Sequence, residues 1–226
     1  MAKFIVFEGL DNLGKTTQID LLKKVLPADA FVFTACPGGS ESAKQIRAAL
    51  ASETLRETMA KETEVLLYAA SHADVSHRII APALSVGKHV ICDRYYHSAL
   101  AYQGGLKGHS EENLLLLHER FSNNLQPDIV FYFTGPSYNS TSLDNPGGYD
   151  GLSSEKRKIV SDMYDKYLSF GGAFQGDVIP IHVDDRTEQE IHAEILIHLR
   201  AVEDLESCGS RPLLGVPKFH IRKRQS

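Results

Sequence analysis

The chain has 226 residues, of which 42% are hydrophobic and 23% are charged, as is ordinary for one globular α/β domain. Its net charge of −5 argues against a surface that coats nucleic acid, and its three scattered cysteines argue against a disulfide framework or a zinc site. No signal-peptide pattern and no uninterrupted apolar run of membrane-spanning length is present. We therefore expect a cytoplasmic protein that has no nucleic-acid or membrane partner.

Strand-like and helix-like segments alternate along the chain. Short apolar runs predict strands at 3–8, 30–34, 88–92, 128–134 and 178–183. Helical periodicity predicts helices at 15–25, 40–51, 57–86, 95–103, 110–125, 152–168 and 187–204. Pro82 should bend or split the longest of them. Such alternation predicts an α/β fold with a five-stranded parallel sheet and helices on both faces.

Two segments differ from the predicted core. Residues 135–151 are polar and rich in turn formers, which predicts a mobile loop that could serve as a lid. Residues 205–226 contain two prolines, two glycines and a basic end, and a frayed tail is favoured there over a contact surface. The predicted organisation is one nucleotide kinase domain over 1–204, followed by the tail.

The most specific motif joins the first strand to the first helix. Four apolar residues, 4–7, lead into a loop that matches G-x-x-x-x-G-K-[ST] without a mismatch, and helical periodicity follows. Such a loop points backbone N–H groups and a helix N-terminus at a polyphosphate. Lys15 should reach the β- and γ-phosphates, and the Thr16 hydroxyl should ligate Mg²⁺. The sequence thus predicts binding of ATP and Mg²⁺ by Gly9, Asn12, Gly14, Lys15, Thr16 and Thr17.

A second polar element follows the predicted strand at 88–92. Asp93 and Arg94 come directly after this strand, at the carboxyl edge of the sheet where ligands of open α/β folds bind. Asp93 is placed to hold Mg²⁺ through water or to orient the acceptor, and Arg94 suits a bidentate grip on a phosphate. A surface ion pair of little consequence is the alternative interpretation.

Four blocks together resemble the thymidylate kinase family, over most of residues 3–200. They are the loop block F-E-G-L-D…G-K-T-T-Q at 7–18, the turn P-G-G-S with I-R at 37–47, the helix E-V-L-L-Y-A-A at 64–70, and D-R-Y…S-A-L-A-Y-Q-G-G at 93–105. The last block is the most specific, because generic phosphate-loop proteins lack it. The resemblance implies a nucleoside monophosphate kinase fold with a lid segment.

The resemblance also implies roles for individual residues around a nucleoside monophosphate. Asp11 would accept a hydrogen bond from the sugar 3′-hydroxyl, and Arg47 with Arg94 would hold the monophosphate. Tyr68 would stack on the base, and Tyr102 would lie against the sugar, although both tyrosines could instead be core residues. The remaining substrate-binding predictions are Pro37, after a Cys36–Pro37 bond expected to be cis, and His72, Ser98 and Gln103.

This chain departs from the family pattern at polar positions near the base and the phosphate. His72 stands where the family helix carries arginine, Ala35 and Cys36 replace an Arg-Glu pair, and Ala99 follows Ser98 where relatives often have Thr, Asn or Ser. A site without its hydrogen-bonding partner discriminates strongly between ligands. These changes motivate the hypothesis that the accepted base is a modified pyrimidine, or that the preference among deoxynucleotides is relaxed.

The source of a catalytic cation is the second departure. The family carries an arginine in the phosphate loop or in the lid, whereas this loop has Asn12 and Leu13, and 135–151 contains neither Arg nor Lys. Lys156, Arg157 and Lys158 follow on the next helix, where a solvated face is slightly favoured over a role for Arg157. At 184–187 the polar segment D-D-R-T is expected to cap the last helix, in the region where such folds contact adenine.

The leading prediction is ATP-dependent phosphorylation of a deoxynucleoside monophosphate, with dTMP as the first candidate. One alternative is a deoxynucleoside kinase, in which Glu8 would serve as the base. Another is a nucleotide-binding regulator with weak catalysis, which the arginine-free lid favours. The resemblance further implies a homodimer whose interface includes residues 57–86.

Overall fold

A computed structural model describes residues 1–135, 152–169 and 172–200. Five parallel strands form its sheet, in the order β2-β3-β1-β4-β5. Their bounds are β1 Phe4–Gly9, β2 Phe31–Ala35, β3 His89–Asp93, β4 Ile129–Thr134 and β5 Asp177–His182. The predicted five-stranded parallel sheet is therefore confirmed, with each strand within one residue of its predicted bounds.

Helices cover both faces of this sheet because strand side chains alternate between two apolar clusters. Phe4, Val6 and Val90 belong to the cluster on one face, and Ile5 and Phe7 belong to the cluster on the other. Strands buried on both faces explain the continuous apolar runs of the sequence. The predicted α/β architecture is thus confirmed.

The helices follow the predicted order, with two short π-helical segments among them. The α-helices are α1 Lys15–Val25, α2 Glu41–Ala51, α3 Glu53–Thr58, α4 Lys61–Val75, α5 Ala81–Ser85, α6 Tyr96–Ala99, α7 Glu111–Phe121, α8 Ser154–Leu168 and α9 Glu188–Arg200. The π segments are Ser76–Ile80, between α4 and α5, and Leu100–Leu106, which continues α6. No helix in this described part is long and apolar enough to cross a membrane.

The predicted helix 57–86 is divided into several pieces. The chain leaves the helical conformation at Met59 and Ala60, so the first residues of the predicted helix belong to α3. Pro82 lies in the first turn of α5, directly after the π segment Ser76–Ile80. Since proline lacks a backbone N–H and its ring crowds the preceding turn, the wider π turn accommodates it without ending the helical path.

Strand order brings the polar ends of β1 and β3 together at the carboxyl edge of the sheet. Phe7 and Ala35 both pair with Asp93, so the loop after β1 lies beside the residues that follow β3. After β1 the chain crosses to β2 on one side of the sheet, and after β3 it crosses to β4 on the other side of β1. The carboxyl ends of β1 and β3 therefore form the topological switch point, where ligands of open α/β sheets bind. The predicted lid at 135–151, except for its first residue, and the predicted tail at 205–226 lie outside the described residues.

Candidate functional site

The loop between β1 and α1 has the backbone shape of an anion site. Asn12 and Gly14 both have positive φ angles, 62° and 82°, and Gly14 begins α1 without a side-chain cap. The N–H groups of the first helical turn therefore face the loop with the positive end of the helix dipole. Leu13 is 3% exposed within the apolar core. Its side chain packs into the core beneath the loop and therefore offers no group to a phosphate.

Lys15 lies across this loop. Its ammonium donates hydrogen bonds to the carbonyls of Gly9, at 3.0 Å, and Leu10. Burial, with the charge of Arg94 adding to it, lowers the pKa of Lys15 to about 7. A polyphosphate beside Lys15 would reverse this shift, since a nearby anion favours the charged ammonium.

Thr16 and Asp93 meet across the ends of β1 and β3. The Thr16 hydroxyl donates to Asp93 Oδ2 at 2.8 Å. A hydroxyl and a carboxylate oxygen are hard oxygen ligands of the kind that Mg²⁺ prefers, with waters and substrate phosphates completing its shell. Over residues 1–135, 152–169 and 172–200, no group of three or more His, Cys, Asp or Glu side chains could hold a metal ion. The pair thus fits a Mg²⁺ that a nucleotide brings, rather than an all-protein metal cage.

Arg94 joins the two halves of the site. It pairs with Asp11, and its Nη1 donates to Gly9 O at 2.9 Å and to Ser98 Oγ at 3.2 Å. Burial alone would raise the pKa of Asp11, but the charges of Arg94 and Lys15 outweigh it and hold this pKa below its usual value. Asp11 is therefore a charged acceptor at neutral pH. Tyr102, 4% exposed, donates to its Oδ2 at 3.3 Å.

A buried carboxylate, Glu8, holds Arg94 in place through its neighbours. Glu8 is fully buried, and its Oε1 accepts from the backbone N–H of Tyr95 at 2.7 Å and of Ser98 at 3.3 Å. Its Oε2 accepts from Ser98 Oγ at 2.7 Å and from the Tyr164 hydroxyl at 3.1 Å. Burial raises the pKa of Glu8, while the charge of Arg94 and these hydrogen bonds oppose the rise.

Tyr164 on α8 completes this network, and the sequence analysis missed it. It is 1% exposed, and its hydroxyl accepts from Arg94 Nη1 at 3.0 Å and lies 2.8 Å from Ser98 Oγ. The helix that follows the predicted lid is thereby tied to Arg94, which the sequence predicts to bind the acceptor phosphate. A tyrosine on the buried face of an amphipathic helix gives no local signal for such a contact.

The predicted base-side residues line one small cavity. Tyr68, His72 and Gln103 form its wall with Ala69 and Ala99, and the cavity continues toward α7. His72 is 5% exposed, and burial lowers its pKa to about 3, so it cannot replace the positive charge of an arginine. Ser98 and Tyr102, which contact Arg94 and Asp11, belong to the same helical stretch as Ala99 and Gln103 of the cavity wall.

The turn after β2 contributes two further predicted residues. The Cys36–Pro37 bond is cis, as expected from the resemblance. Arg47 is exposed on α2 and its Nη1 approaches Pro37 O at 3.4 Å. Arg47 and Arg94 are thus held differently: Arg94 is embedded in a network, whereas Arg47 reaches over the turn from the surface. Thr17 is half-buried in the first turn of α1.

The three cations that follow the predicted lid differ in their surroundings. Lys156 and Lys158 are exposed, and Lys158 binds Asp162, as the solvated-face interpretation predicts. Arg157 is half-buried, and its Nε donates to Leu152 O at 3.0 Å. Arg157 and Tyr164 are seven residues apart, so they share one face of α8. This is the face that contacts Arg94.

The segment before α9 serves as a helix cap, as predicted. Thr187 Oγ1 accepts from the backbone N–H of Glu190 at 3.3 Å, and Glu190 Oε2 accepts from the backbone N–H of Thr187 at 2.8 Å. This reciprocal pair is a capping box. Arg186 binds Glu194 at 2.6 Å. The side chains of Arg186 and Thr187 therefore both interact with residues of α9.

Comparisons with known proteins show the family of this chain. The family model described as thymidylate kinase matches residues 7–195. The chain belongs to the thymidylate kinase family. It is 33% identical over 195 residues to the thymidylate kinase of Buchnera aphidicola subsp. Baizongia pistaciae, covering 84% of this chain and 92% of that protein. With the thymidylate kinase of Exiguobacterium sibiricum it shares 34% identity over 169 residues, 74% of this chain and 79% of the relative.

A solved structure supports the same family. The crystal structure of the thymidylate kinase from Ehrlichia chaffeensis matches with a TM-score of 0.64 and 26% identity. The match covers 88% of this chain and 98% of the other. The nucleoside monophosphate kinase fold predicted from the four sequence blocks is confirmed by this likeness.

Replacing Tyr164 by phenylalanine tests the network around Glu8. The substitution removes a buried hydroxyl shared by Arg94, Ser98 and Glu8, so it should lower the free energy of unfolding by about 1–3 kcal/mol. Tyr167→Phe is the matched control, because the Tyr167 hydroxyl binds Glu111, which keeps its ion pair with Lys166. Urea unfolding of both variants measures their free energies of unfolding. Equal losses of unfolding free energy would show that the Tyr164 hydroxyl does not stabilise the network around Glu8.

Proposed function

We propose that this protein transfers the γ-phosphoryl group of ATP to dTMP and forms dTDP. The observation that carries the proposal is the position of Arg94, which is half-buried, pairs with Asp11 and donates a hydrogen bond to the phosphate-loop backbone at Gly9. A guanidinium at this point lies between the donor loop and the predicted acceptor residues. Membership of the thymidylate kinase family supports dTMP as the acceptor.

The donor side of the proposed reaction is the loop at 9–17. Backbone N–H groups from Gly9, Asn12, Gly14 and Thr17 surround the triphosphate, and Lys15 exchanges its carbonyl partners for the β- and γ-phosphates. Thr16 and Asp93 would hold the Mg²⁺ that accompanies ATP. When bound, Mg²⁺ would neutralise phosphate charge and hold the β- and γ-oxygens in position.

The acceptor side is built from residues that reach the same edge of the sheet. Arg94 and Arg47 hold the monophosphate of dTMP, and Asp11 accepts a hydrogen bond from the 3′-hydroxyl. Tyr102 packs against the sugar, and its hydroxyl keeps Asp11 oriented. Tyr68, His72 and Gln103, which line the same cavity, contact the base. Pro37 and Ser98 complete the acceptor site.

The chemistry needs positioning and charge rather than a strong base. A phosphate oxygen of dTMP is already a nucleophile, so the residues must align it with the γ-phosphoryl group and neutralise the two anions. Lys15 provides fixed positive charge beside the donor phosphates, and Arg94 provides it beside the acceptor phosphate. Both carboxylate oxygens of Glu8 already accept hydrogen bonds from Tyr95, Ser98 and Tyr164, which argues against Glu8 as the base of a deoxynucleoside kinase.

A coupled assay of ADP release with a panel of acceptors tests the proposed function. We expect turnover with dTMP, weaker turnover with dUMP, dCMP and dGMP, and none with thymidine, because Arg94 has no phosphate to bind in a nucleoside. Turnover of thymidine itself would instead establish a deoxynucleoside kinase. Nucleotide binding without turnover of any acceptor would favour the regulatory alternative.

We also propose that Arg157 supplies charge from the lid side during transfer. It shares a helix face with Tyr164, about 10 Å farther along the axis, and a long side chain can span much of that distance. Arg157→Ala should lower kcat by about 100-fold while leaving binding of dTMP nearly unchanged. Lys158→Ala is the control, since Lys158 is exposed and paired with Asp162. Equal kcat values for the two variants would dismiss Arg157.

We propose that the protein forms a homodimer whose interface is the exposed surface of α4 and α5. Leu66 on α4 is 58% exposed and Val86 after α5 is 71% exposed, both within the predicted interface 57–86. Leu66→Glu should shift the protein from dimer to monomer in sedimentation velocity. Ile197→Glu is the matched control, because Ile197 is equally exposed at 58% on α9, across the sheet. Equal sedimentation of the two variants would reject this interface.

A further inference from the structure

The cavity on the base side extends beyond the residues predicted to touch the base. From Tyr68 and Gln103 it continues between α4 and α7, where His118 and Ser122 line it with Leu114, Leu117 and Tyr96. Its volume is about 20 Å³. A cavity of this size holds about one water-sized group, and the polar side chains within its largely apolar lining favour a group that forms hydrogen bonds.

The tautomer of His118 follows from its neighbours. The Tyr96 hydroxyl donates to Gln126 Oε1 at 2.8 Å, and Gln126 Nε2 donates to Asn124 Oδ1 at 3.1 Å, which fixes the orientation of this amide. The same Nε2 lies 3.3 Å from His118 Nε2, which must therefore accept. The proton of the neutral ring is then on Nδ1.

That Nδ1–H group has no hydrogen-bond partner in the described part of the chain. His118 is 5% exposed, and its ring stacks on Tyr96 with centroids 4.1 Å apart, so it cannot turn to solvent easily. An unpaired buried donor is costly, so a ligand atom that accepts from it gains more than it would at a solvated site.

The charge of the cavity is neutral. Burial lowers the pKa of His118 to about 4, and the Leu125 carbonyl opposes this shift because it would accept a hydrogen bond from the protonated ring. His72, which also lines the cavity, is neutral for the same reason. Two neutral imidazoles suit a hydroxyl, which donates and accepts, and disfavour a carboxylate or an ammonium group.

The volume of the cavity and its hydrogen-bonding groups together indicate which substituent of a base fits it. Thymine ends in a methyl group, which offers no acceptor to His118. A purine adds a whole fused ring, which is much larger than one water-sized group. A hydroxymethyl group on pyrimidine carbon 5 adds a single oxygen to the size of thymine.

We propose that this pocket, defined by His72, Ala99 and His118, binds the hydroxyl of a 5-hydroxymethylpyrimidine deoxynucleoside monophosphate, so that such a nucleotide is the preferred acceptor. The proposal rests on the proposed function, because it assumes that the base lies against Tyr68 and Gln103. The hydroxyl oxygen accepts from His118 Nδ1, and small Ala99 leaves the path to it open.

Steady-state kinetics with 5-hydroxymethyl-dUMP, dTMP and dGMP test this selection. The expected kcat/KM for 5-hydroxymethyl-dUMP exceeds that for dTMP by about 3- to 10-fold, the size of one neutral hydrogen bond, and dGMP is the poorest of the three. His118→Leu should reduce the ratio of the first two values to about one or below. Ala99→Val, which fills the path and retains His118, should lower the same ratio.

His97→Leu is the matched control. His97 is also buried at 1% exposure with both ring nitrogens unpaired, and it stacks on the same Tyr96, but it lies outside the cavity wall. Its replacement should leave the ratio unchanged. A wild-type preference for dTMP, or a ratio that responds equally to His97→Leu and His118→Leu, would overturn the inference while leaving the dTMP kinase intact. Failure to phosphorylate any of the three monophosphates would instead overturn the proposed function.

Discussion

The carboxylate of Glu8 is the constraint on which the site depends. It lies at the end of β1, one residue before the phosphate loop, and it is fully buried. A buried carboxylate is costly unless donors surround it, and here the donors come from the residues after β3 and from α8. Satisfying Glu8 therefore draws three separate parts of the chain to one point.

Arg94 is held by the same arrangement. Its φ of 65° is unusual for a residue with a side chain, and such strain persists only where the surroundings fix it. Ser98 and Tyr164 bind both Glu8 and Arg94, so the guanidinium is oriented before any substrate arrives. Preorganised charge of this kind costs no reorganisation during the reaction, which is how a fixed arginine assists transfer between two phosphates.

Much of the fold and part of the site could be predicted from the sequence, because their signals are local. The loop from Gly9 to Thr17 and the Asp93–Arg94 pair are contiguous motifs that follow apolar strands, and the structure brings Thr16 and Asp93 together. Tyr164 could not be predicted, since its partner Glu8 is 156 residues away and helical periodicity marks only its burial. His118 could not be predicted either, because its contacts also come from distant parts of the chain. The predicted helix 57–86 is interrupted at Met59 and Ala60, where the sequence has no strong helix breaker. The roles of the predicted site residues stay predictions until ligands are measured.

The central claim is that Arg94 recognises the phosphate of the acceptor. Calorimetric titration of dTMP and of thymidine into the wild-type protein and Arg94→Met tests it directly, because the two ligands differ only in that phosphate. We expect the substitution to weaken dTMP binding by about tenfold or more, the worth of charge-assisted hydrogen bonds. Thymidine binding should weaken much less, because the nucleoside is affected only through the lost contact between Arg94 and Asp11. Unchanged dTMP affinity, or an equal loss for both ligands, would show that Arg94 does not recognise the phosphate.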